Sequence, residues 1–390
     1  MREANQTSRA RIALVRCGSY DLEEVRRAVR RGIELLGGPE RFARRDERIL
    51  FKPNVLAGDP PARATTTHPA VLRAAAEVFR SVTSRLSYGD SPGFGKPAFH
   101  LRTSGLARAA AEAGVTPADF ENGQEVELSH SGREWRFTLA RGVLEADGII
   151  SLPKFKTHQL TRITGPVKNQ LGCVPGLLKP QYHVRYPGAD DFARMLTALN
   201  LLVKPRLYIL DAVTAMEGNG PRSGRAVHMG LLMFSEDPVA MEALMCRLID
   251  LDPRFVPTIA AGEELGLGTG RWEEIEILGD DWREAVNPKF QVVREPITSV
   301  RQGEAIRFAM NLVMPRPVIS AGSCTRCGTC VEACPVEPKA LSWPDSGRTR
   351  PPCYDYRRCI RCYCCQEMCP ERAISVRVPL LGRVIKVRAG

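Results

Sequence analysis

The sequence predicts an α/β protein, a mostly parallel sheet flanked by helices, followed by a small C-terminal α+β domain. Two observations carry this. Over roughly the first 300 residues short apolar runs alternate with amphipathic segments of helical period, the pattern of repeated βαβ units. The last fifth departs from that alternation and carries most of the 13 cysteines. The expected division is an α/β domain over 1–300, a connecting helix and linker over 301–319, and a cysteine-rich domain over 320–390.

The strands are short β-branched and aliphatic runs at 11–16, 49–51, 86–88, 148–152, 207–211 and 231–234. Between them the 3.6-residue period predicts helices over 22–36, 69–82, 98–113, 192–202 and 238–249. Alternation through 126–139 predicts an antiparallel excursion. The apolar run 305–314, stopped by Pro315 and Pro317, reads as the connecting helix. The tail 374–388 alternates and reads as a closing β-hairpin.

Within the C-terminal domain one spacing occurs twice, about 35 residues apart: Cys324-x2-Cys327-x2-Cys330-x3-Cys334-Pro335 and Cys359-x2-Cys362-x2-Cys365-x3-Cys369-Pro370. This is the bacterial two-cluster ferredoxin pattern, in which three cysteines of a run hold one [4Fe-4S] cluster and the fourth reaches across to the other. The expected ligand sets are Cys324, Cys327, Cys330 and Cys369, and Cys359, Cys362, Cys365 and Cys334. A disulfide framework suits short secreted chains, and zinc sites pair their cysteines differently. Cys353 and Cys364 fall outside the pattern and read as packing or neighbouring residues. Cys173 receives no role. Oxygen-sensitive clusters point to a reducing compartment, the cytoplasm.

The formal net charge is +11, and residues 320–390 hold 12 Lys/Arg against 6 Asp/Glu. The arginines elsewhere are interleaved with acids, as on solvated helix faces, so nucleic acid is not an expected partner. No apolar run has the length of a membrane span.

In open α/β sheets, ligands sit beyond the carboxyl ends of the strands. Several strands here run into polar residues: Lys52 and Asn54 after the second, Asp90 after the third, then Lys154, Lys156 and His158 after 148–152. Lys168 and Asn169 follow, then His183, and Asp211 and Glu217 after 207–211. If these ends converge, they form a pocket for an anion. In it Lys52, Asn54, Asp90, Lys154, Lys168 and Asn169 bind substrate, and His158, His183, Lys156 and Glu217 are catalytic. Taken singly, each lysine reads more readily as an exposed loop residue than as a site residue, and His100, His130 and His228 read as ordinary surface or core histidines. His68, in Thr67-His68-Pro69, reads evenly as a helix-start neighbour or a site residue. Residues 89–96 imitate a phosphate-binding loop, but with one residue too many between the glycines and Pro97 where Ser or Thr is needed. Gly266-Leu267-Gly268-Thr269-Gly270 follows a helix and lacks the dinucleotide spacing. No motif supports a flavin or nicotinamide cofactor.

The ordered succession Lys52-Pro53-Asn54, Thr67-His68-Pro69, Gly89-Asp90-Ser91-Pro92-Gly93, 152–158, 165–176 with His183 following, 211–221 and Asp237-Pro238-Val239-Ala240 resembles the DUF362 family of iron-sulfur proteins. The resemblance spans roughly residues 10–250. Members often end in the same cysteine module, including a second run like 362–367. Where the family tends to carry Asp two residues after the last motif, this chain has Met241-Glu242. The resemblance implies a soluble, redox-active α/β protein and supplies no substrate.

The expectation is an iron-sulfur oxidoreductase with two [4Fe-4S] clusters. It takes low-potential electrons from a donor such as a ferredoxin or flavodoxin and passes them to a small anionic, unsaturated molecule. The histidines serve as proton donors. The alternatives are a non-enzymatic electron-transfer subunit or maturation factor, and a non-redox enzyme with structural or sensing clusters.

Overall fold

The computed structural model describes residues 9–176, 178–297 and 311–384. The strands in chain order are β1 Ala10–Arg16, β2 Ile49–Pro53, β3 Leu86–Tyr88, β4 Thr116–Pro117, β5 Gly123–His130, β6 Arg133–Ala140, β7 Gly148–Leu152, β8 Lys154–His158, β9 Arg162–Thr164, β10 Leu207–Glu217, β11 Arg225–Ser235 and β12 Ile275–Gly279. All but β5 and β6 join one sheet, ordered β12-β1-β11-β10-β7-β2-β3-β4, with β8 on β10 and β9 on β8.

The half from β10 to β4 is parallel. β2 and β7, inside this half, are buried along their whole length, as parallel strands covered on both faces are. Along β1, Ala13 and Val15 face one apolar cluster with the helices Leu22–Leu35 and Pro69–Phe79. Ile12 and Leu14 face another with Pro238–Leu248 and Pro257–Glu264. The period-2 alternation of a strand thus builds two cores from one run. Asp21 starts the first helix by accepting from Glu23 N and Glu24 N, and Asp237 starts Pro238–Leu248 in the same way.

Several sequence expectations are corrected. The segment 98–113 is two helices, Pro97–Thr103 and Leu106–Glu112, parted at Gly105, whose φ of 79° breaks the helical path. The runs 207–211 and 231–234 are the cores of two eleven-residue strands that pair antiparallel, because the seven-residue link between them, closed by Gly218, is too short for a parallel crossover. The excursion at 126–139 is the hairpin β5–β6, a two-stranded sheet of its own. Lys154 to His158, expected as loop, form β8, parallel to β10 and antiparallel to β9.

In the cysteine-rich module β13 Arg316–Ile319 pairs antiparallel with β16 Ile374–Arg377, and β14 Leu341–Ser342 with β15 Cys353–Tyr354. The expected tail hairpin is therefore replaced. Its first strand pairs across the module, and after Pro379 the chain turns into the helix Leu380–Val384. Of the expected connecting helix and linker, 301–310 lie outside the described residues, as do 385–390 of the tail. Residues 316–319, assigned to the linker, are strand. Among the described residues no helix is long and apolar enough to cross a membrane.

Candidate functional site

The carboxyl ends of β2, β3 and β7 point to one place, and β8 crosses it. On a strand, alternate residues share a face. Lys154, Lys156 and His158 therefore form one row, and all three are buried. The row runs from an interior ion pair to the contact with the cysteine module.

At the inner end, Lys154 Nζ lies 2.8 Å from Asp211 Oδ2 and 2.7 Å from the Tyr20 hydroxyl. That hydroxyl donates to Asp211 Oδ1 at 2.7 Å. His68 stacks on Tyr20 at 3.6 Å, donates its backbone N–H to Asp211 and accepts from Ala70 N, so it is both helix cap and part of this network. Every charge here is met, as a buried ion pair demands. Lys52 is met likewise, 2.7 Å from Asp90 Oδ1 and 3.1 Å from Asn169 Oδ1. Asp90 Oδ2 accepts from Val55 N at 2.7 Å. Gly172 lies against this pair; a Cβ there would stand 1.8 Å from Asp90 Oδ1 and 2.6 Å from Lys52 Nζ.

Between the sheet domain and the cysteine module lies a cleft with about 710 Å³ of empty space, part of it open to solvent. The sheet side supplies Asn54, Asp90, Lys156, Thr164, Lys168, Asn169, Lys179 and His183, and the module supplies Ala333, Cys364, Glu367 and Met368. Lys156 donates to Asn54 Oδ1 and to Thr65 O. Lys179 donates to Pro92 O at 2.9 Å. Neither has a carboxylate of its own, and burial pulls each down to about 7, with Lys168 adding to the effect on Lys156. Lys168 is buried, and among the described residues its ammonium has no hydrogen-bond or ion-pair partner. Thr164 Oγ1 and His183 Nδ1, both buried on this cleft, are also without partners.

His158 Nδ1 accepts from Leu160 N and Thr161 N, which leaves the ring proton on Nε2, 3.0 Å from Glu367 Oε1. Burial, with Lys168 adding, pulls His158 down to about 4 against the pull of Glu367, and burial takes His183 to about 4. Burial would raise Glu367, but Lys168, His158 and His183 outweigh it and hold the carboxyl at about 2. The expectation that a histidine gives up protons near neutral pH is thereby corrected. Both rings are neutral there, and on the cleft it is Lys156 and Lys179 that burial brings to about 7.

The structure thus gathers Lys52, Asn54, Asp90, Lys156, His158, Lys168, Asn169 and His183 around one cleft, with Lys154 one pair further in. Glu217 is not among them. Although its strand neighbour Met216 pairs with Lys156, Glu217 pairs with Arg225 and accepts from Gln291 N at 2.8 Å and does not line the cleft. Sequence reading missed Lys179, Thr164 and Glu367. Lys179 stands four residues before His183 on the helix Leu178–Arg185, a one-face spacing that was there to be read. Glu367 was hidden inside a cysteine motif.

Glu242, where this chain departs from the family pattern, lies outside the cleft. It accepts from Val167 N at 3.1 Å and from the Thr258 hydroxyl, while Asn200 donates to Val167 O at 2.8 Å. These two contacts fix the turn Pro166–Asn169 that carries Lys168 and Asn169. Burial pushes Glu242 up to about 7.

The module is seated by Gln366, which donates to Asn219 O at 3.0 Å, and by Arg222, which donates to Met368 O at 2.8 Å and pairs with Asp59 at 2.9 Å. Its cysteines ring two cavities. One is lined by Cys324, Cys327, Cys330 and Cys369. The other is lined by Cys334, Cys359, Cys362 and Cys365. Their empty volumes are about 340 and 310 Å³, and apolar groups such as Ile319, Ile374, Ala340 and Leu341 complete the walls. Four thiols around each apolar space, with the fourth of each run crossing over, fit the donor sets of [4Fe-4S] clusters. Tyr354 Oη donates to Cys365 Sγ and Ala373 N to Cys369 Sγ, each at 3.3 Å. Among the described residues no three His, Cys, Asp or Glu side chains converge on a single metal ion. Cys364 takes no part in either ring and lines the cleft; Cys353 is exposed, and Cys173 is buried with its Sγ 3.7 Å from Gln170 Oε1.

The model of DUF362, a domain of unknown function, matches residues 49–247, and that of a 4Fe-4S binding domain matches residues 315–336. The chain is 33% identical over 280 residues, 70% of its length and 87% of the relative's, to a thylakoid-associated protein of Synechocystis sp.. Among solved structures it is similar to the lactate racemase apoprotein from Thermoanaerobacterium thermosaccharolyticum, with TM-score 0.38, 10% identity, and 62% and 58% of the two chains covered. A Thermotoga maritima protein matches with TM-score 0.33, 11% identity and 56% of each chain covered. The chain spans less than two thirds of the length of either structure.

Proposed function

This chain belongs to the DUF362 family, and on that premise we propose that it is an oxidoreductase acting on a small anionic, unsaturated molecule held between the sheet domain and the cysteine module. The observation that carries the reading is Lys168, a buried lysine whose ammonium makes no direct hydrogen bond or ion pair among the described residues and is met only at longer range by Glu367, on a cleft whose other wall is the cysteine module. An ammonium with no direct partner of its own on such a cleft is free to make a charge-assisted hydrogen bond to a bound anion.

Two [4Fe-4S] clusters, held by the two sets of four cysteines, would supply electrons singly. The donor is a ferredoxin- or flavodoxin-type carrier. The other roles belong to this chain's own side chains. Lys168 and Lys179 hold the anion, Asn54 and Asn169 orient it, and the open His183 Nδ1 and Thr164 Oγ1 complete its hydrogen bonds. Lys156 keeps or gives up a proton near neutral pH, and His158, fixed in one tautomer, anchors Glu367. The walls Leu56, Leu171, Pro180 and Met368 exclude water from the bound molecule. A reducing compartment, the cytoplasm, suits the thiols.

The test is anaerobic calorimetry of the cluster-loaded protein with a panel of unsaturated carboxylates and inorganic phosphate, followed by turnover with a chemical reductant. The reading expects a carboxylate to bind and be reduced, and Lys168→Ala to lose both. Equal binding by Lys168→Ala, or no binding by the parent, overturns it. A second reading is a non-enzymatic electron-transfer subunit, favoured by the relative at 33% identity that is named for association with thylakoids rather than for a reaction. It expects the parent to exchange electrons with a carrier while no member of the panel binds.

A further inference from the structure

We propose that Lys156, with Lys179, is a proton-loading site whose occupancy rises when negative charge is added behind the Cys364 wall of the cleft. This rests on the reading of the cysteine rings as iron-sulfur sites. The geometry comes first. The cleft is lined by Ala333 and Cys364, chain neighbours of Cys334 and Cys365, and those two cysteines belong to one ring together with Cys359 and Cys362. Charge placed in that ring faces the lysines across a buried interface, where low polarisability lets it act over distance.

The five lysines buried among the described residues differ in what holds their protons. Lys52 and Lys154 each have a carboxylate within 2.8 Å. Lys156 and Lys179 have only neutral oxygens. A lysine so placed sits near the balance between ammonium and amine, so a modest change of field moves its proton. The charged and titratable groups facing Lys156 are Lys154 and His158 on its own strand, Lys52 on β2, Asp90 after β3, Lys168 on the turn, Lys179 and His183 on the helix beyond, and Glu367 from the module. All but the module's groups are fixed in the sheet domain, so the variable is the charge in the cysteine ring.

The balance of the step is one electron and one proton. A reduced carrier or chemical reductant loses one electron, and the ring holding it gains one negative charge. That charge favours the ammonium form, and one proton moves from solvent onto a neutral lysine. An electron in the ring and a proton in the cleft then stand side by side, half of the two electrons and two protons that hydrogenation of one unsaturated bond takes.

The experiment is an anaerobic redox titration of the cluster-loaded protein, followed by paramagnetic resonance, from pH 6 to 9 and without substrate. The expected result is a midpoint potential, for at least one cluster, that becomes more negative as pH rises above about 7, where Lys156 and Lys179 lose their protons. Lys156→Met removes most of that dependence and Lys179→Met a smaller part. Lys156→Arg, charged at every pH, removes the dependence but keeps the potential above that of Lys156→Met. Potentials independent of pH in the parent, or a dependence intact in the double methionine variant with unaltered cluster absorbance, overturn the proposal. With no substrate present, a cleft that binds no anion leaves this result standing, and a flat potential leaves anion binding untouched.

Discussion

Lys154 and Lys168 are both buried, and they show two ways a protein can use an interior cation. Lys154 lies in the sheet domain's interior among Asp211, Tyr20 and the His68 network, with its charge cancelled where it stands. Lys168 sits on a turn at the module boundary, held in place through Val167 by Glu242 and Asn200, and among the described residues its ammonium makes no direct hydrogen bond or ion pair, with only the Glu367 carboxylate acting on it across the cleft. The first arrangement ties β8, β10, the loop after β1 and the helix Pro69–Phe79 together. The second leaves charge unspent for a molecule from outside. Pairing, more than burial, separates structure from site.

The largest expected effect breaks the closed network. Asp211→Ala strands Lys154 without a counter-ion and removes the acceptor of Tyr20 and His68 N, so it should destabilise by about 3–5 kcal/mol. Denaturant unfolding followed by circular dichroism reads this directly. Lys168→Met should cost far less, at most about 1 kcal/mol, because it removes no direct hydrogen bond or ion pair and only a longer-range pull on Glu367. If the two variants destabilise alike, the distinction between the two regions fails.

The reverse ordering should hold for ligand binding. Lys168→Met is expected to weaken binding of a carboxylate by about 10- to 100-fold, the range of a lost charge-assisted contact of roughly 1.5–3 kcal/mol, measured by calorimetry.

A third prediction concerns pH. Lys156 and Lys179 are depressed from 10.5 to about 7, so the unfolded chain binds these protons more tightly than the folded one. Their contribution to stability is present above 10.5 and lost as pH falls through about 7. The ligand-free protein should therefore become more stable from pH 7 to 9, while anion affinity falls over the same interval. Thermal melts with and without a carboxylate should show the two trends crossing.

The smallest effect is at Glu242. Its folded pKa is raised from 4.5 to about 7, so the stability it supports is full below 4.5 and is lost as pH rises through about 7. Glu242→Gln keeps an acceptor for Val167 N and a partner for Thr258. It should change stability by less than about 1 kcal/mol at pH 6 and equal or exceed the parent at pH 8.5. A large loss at both values would show that the carboxylate, rather than its shape, holds the turn.

Much of the fold was legible because strand alternation and helical period are local: β1, β2, β3 and β7 and the helices between them follow from runs of a few residues. The antiparallel central pair was not legible, since direction depends on the link between the two strands as much as on the strands. β8 was missed because Lys154-Phe155-Lys156-Thr157-His158 is polar on alternate positions and reads as loop, and only a cleft beside it makes buried lysines possible. Glu217 looked like its neighbours in sequence, yet its strand turns it toward Arg225.

By itself the sequence determined the α/β class, the paired cysteine spacing and the set of polar residues that follow the strands, because each rests on short-range periodicity or fixed spacing. The tertiary structure alone decided which lysines are paired, that Glu367 reaches from the cysteine module to His158, and that on the cleft Lys156 and Lys179, rather than His158 and His183, are brought to about 7. Those properties depend on burial and on partners far apart in the chain. A residue's charge is written in its side chain, but what that charge is free to do is set by what packs against it.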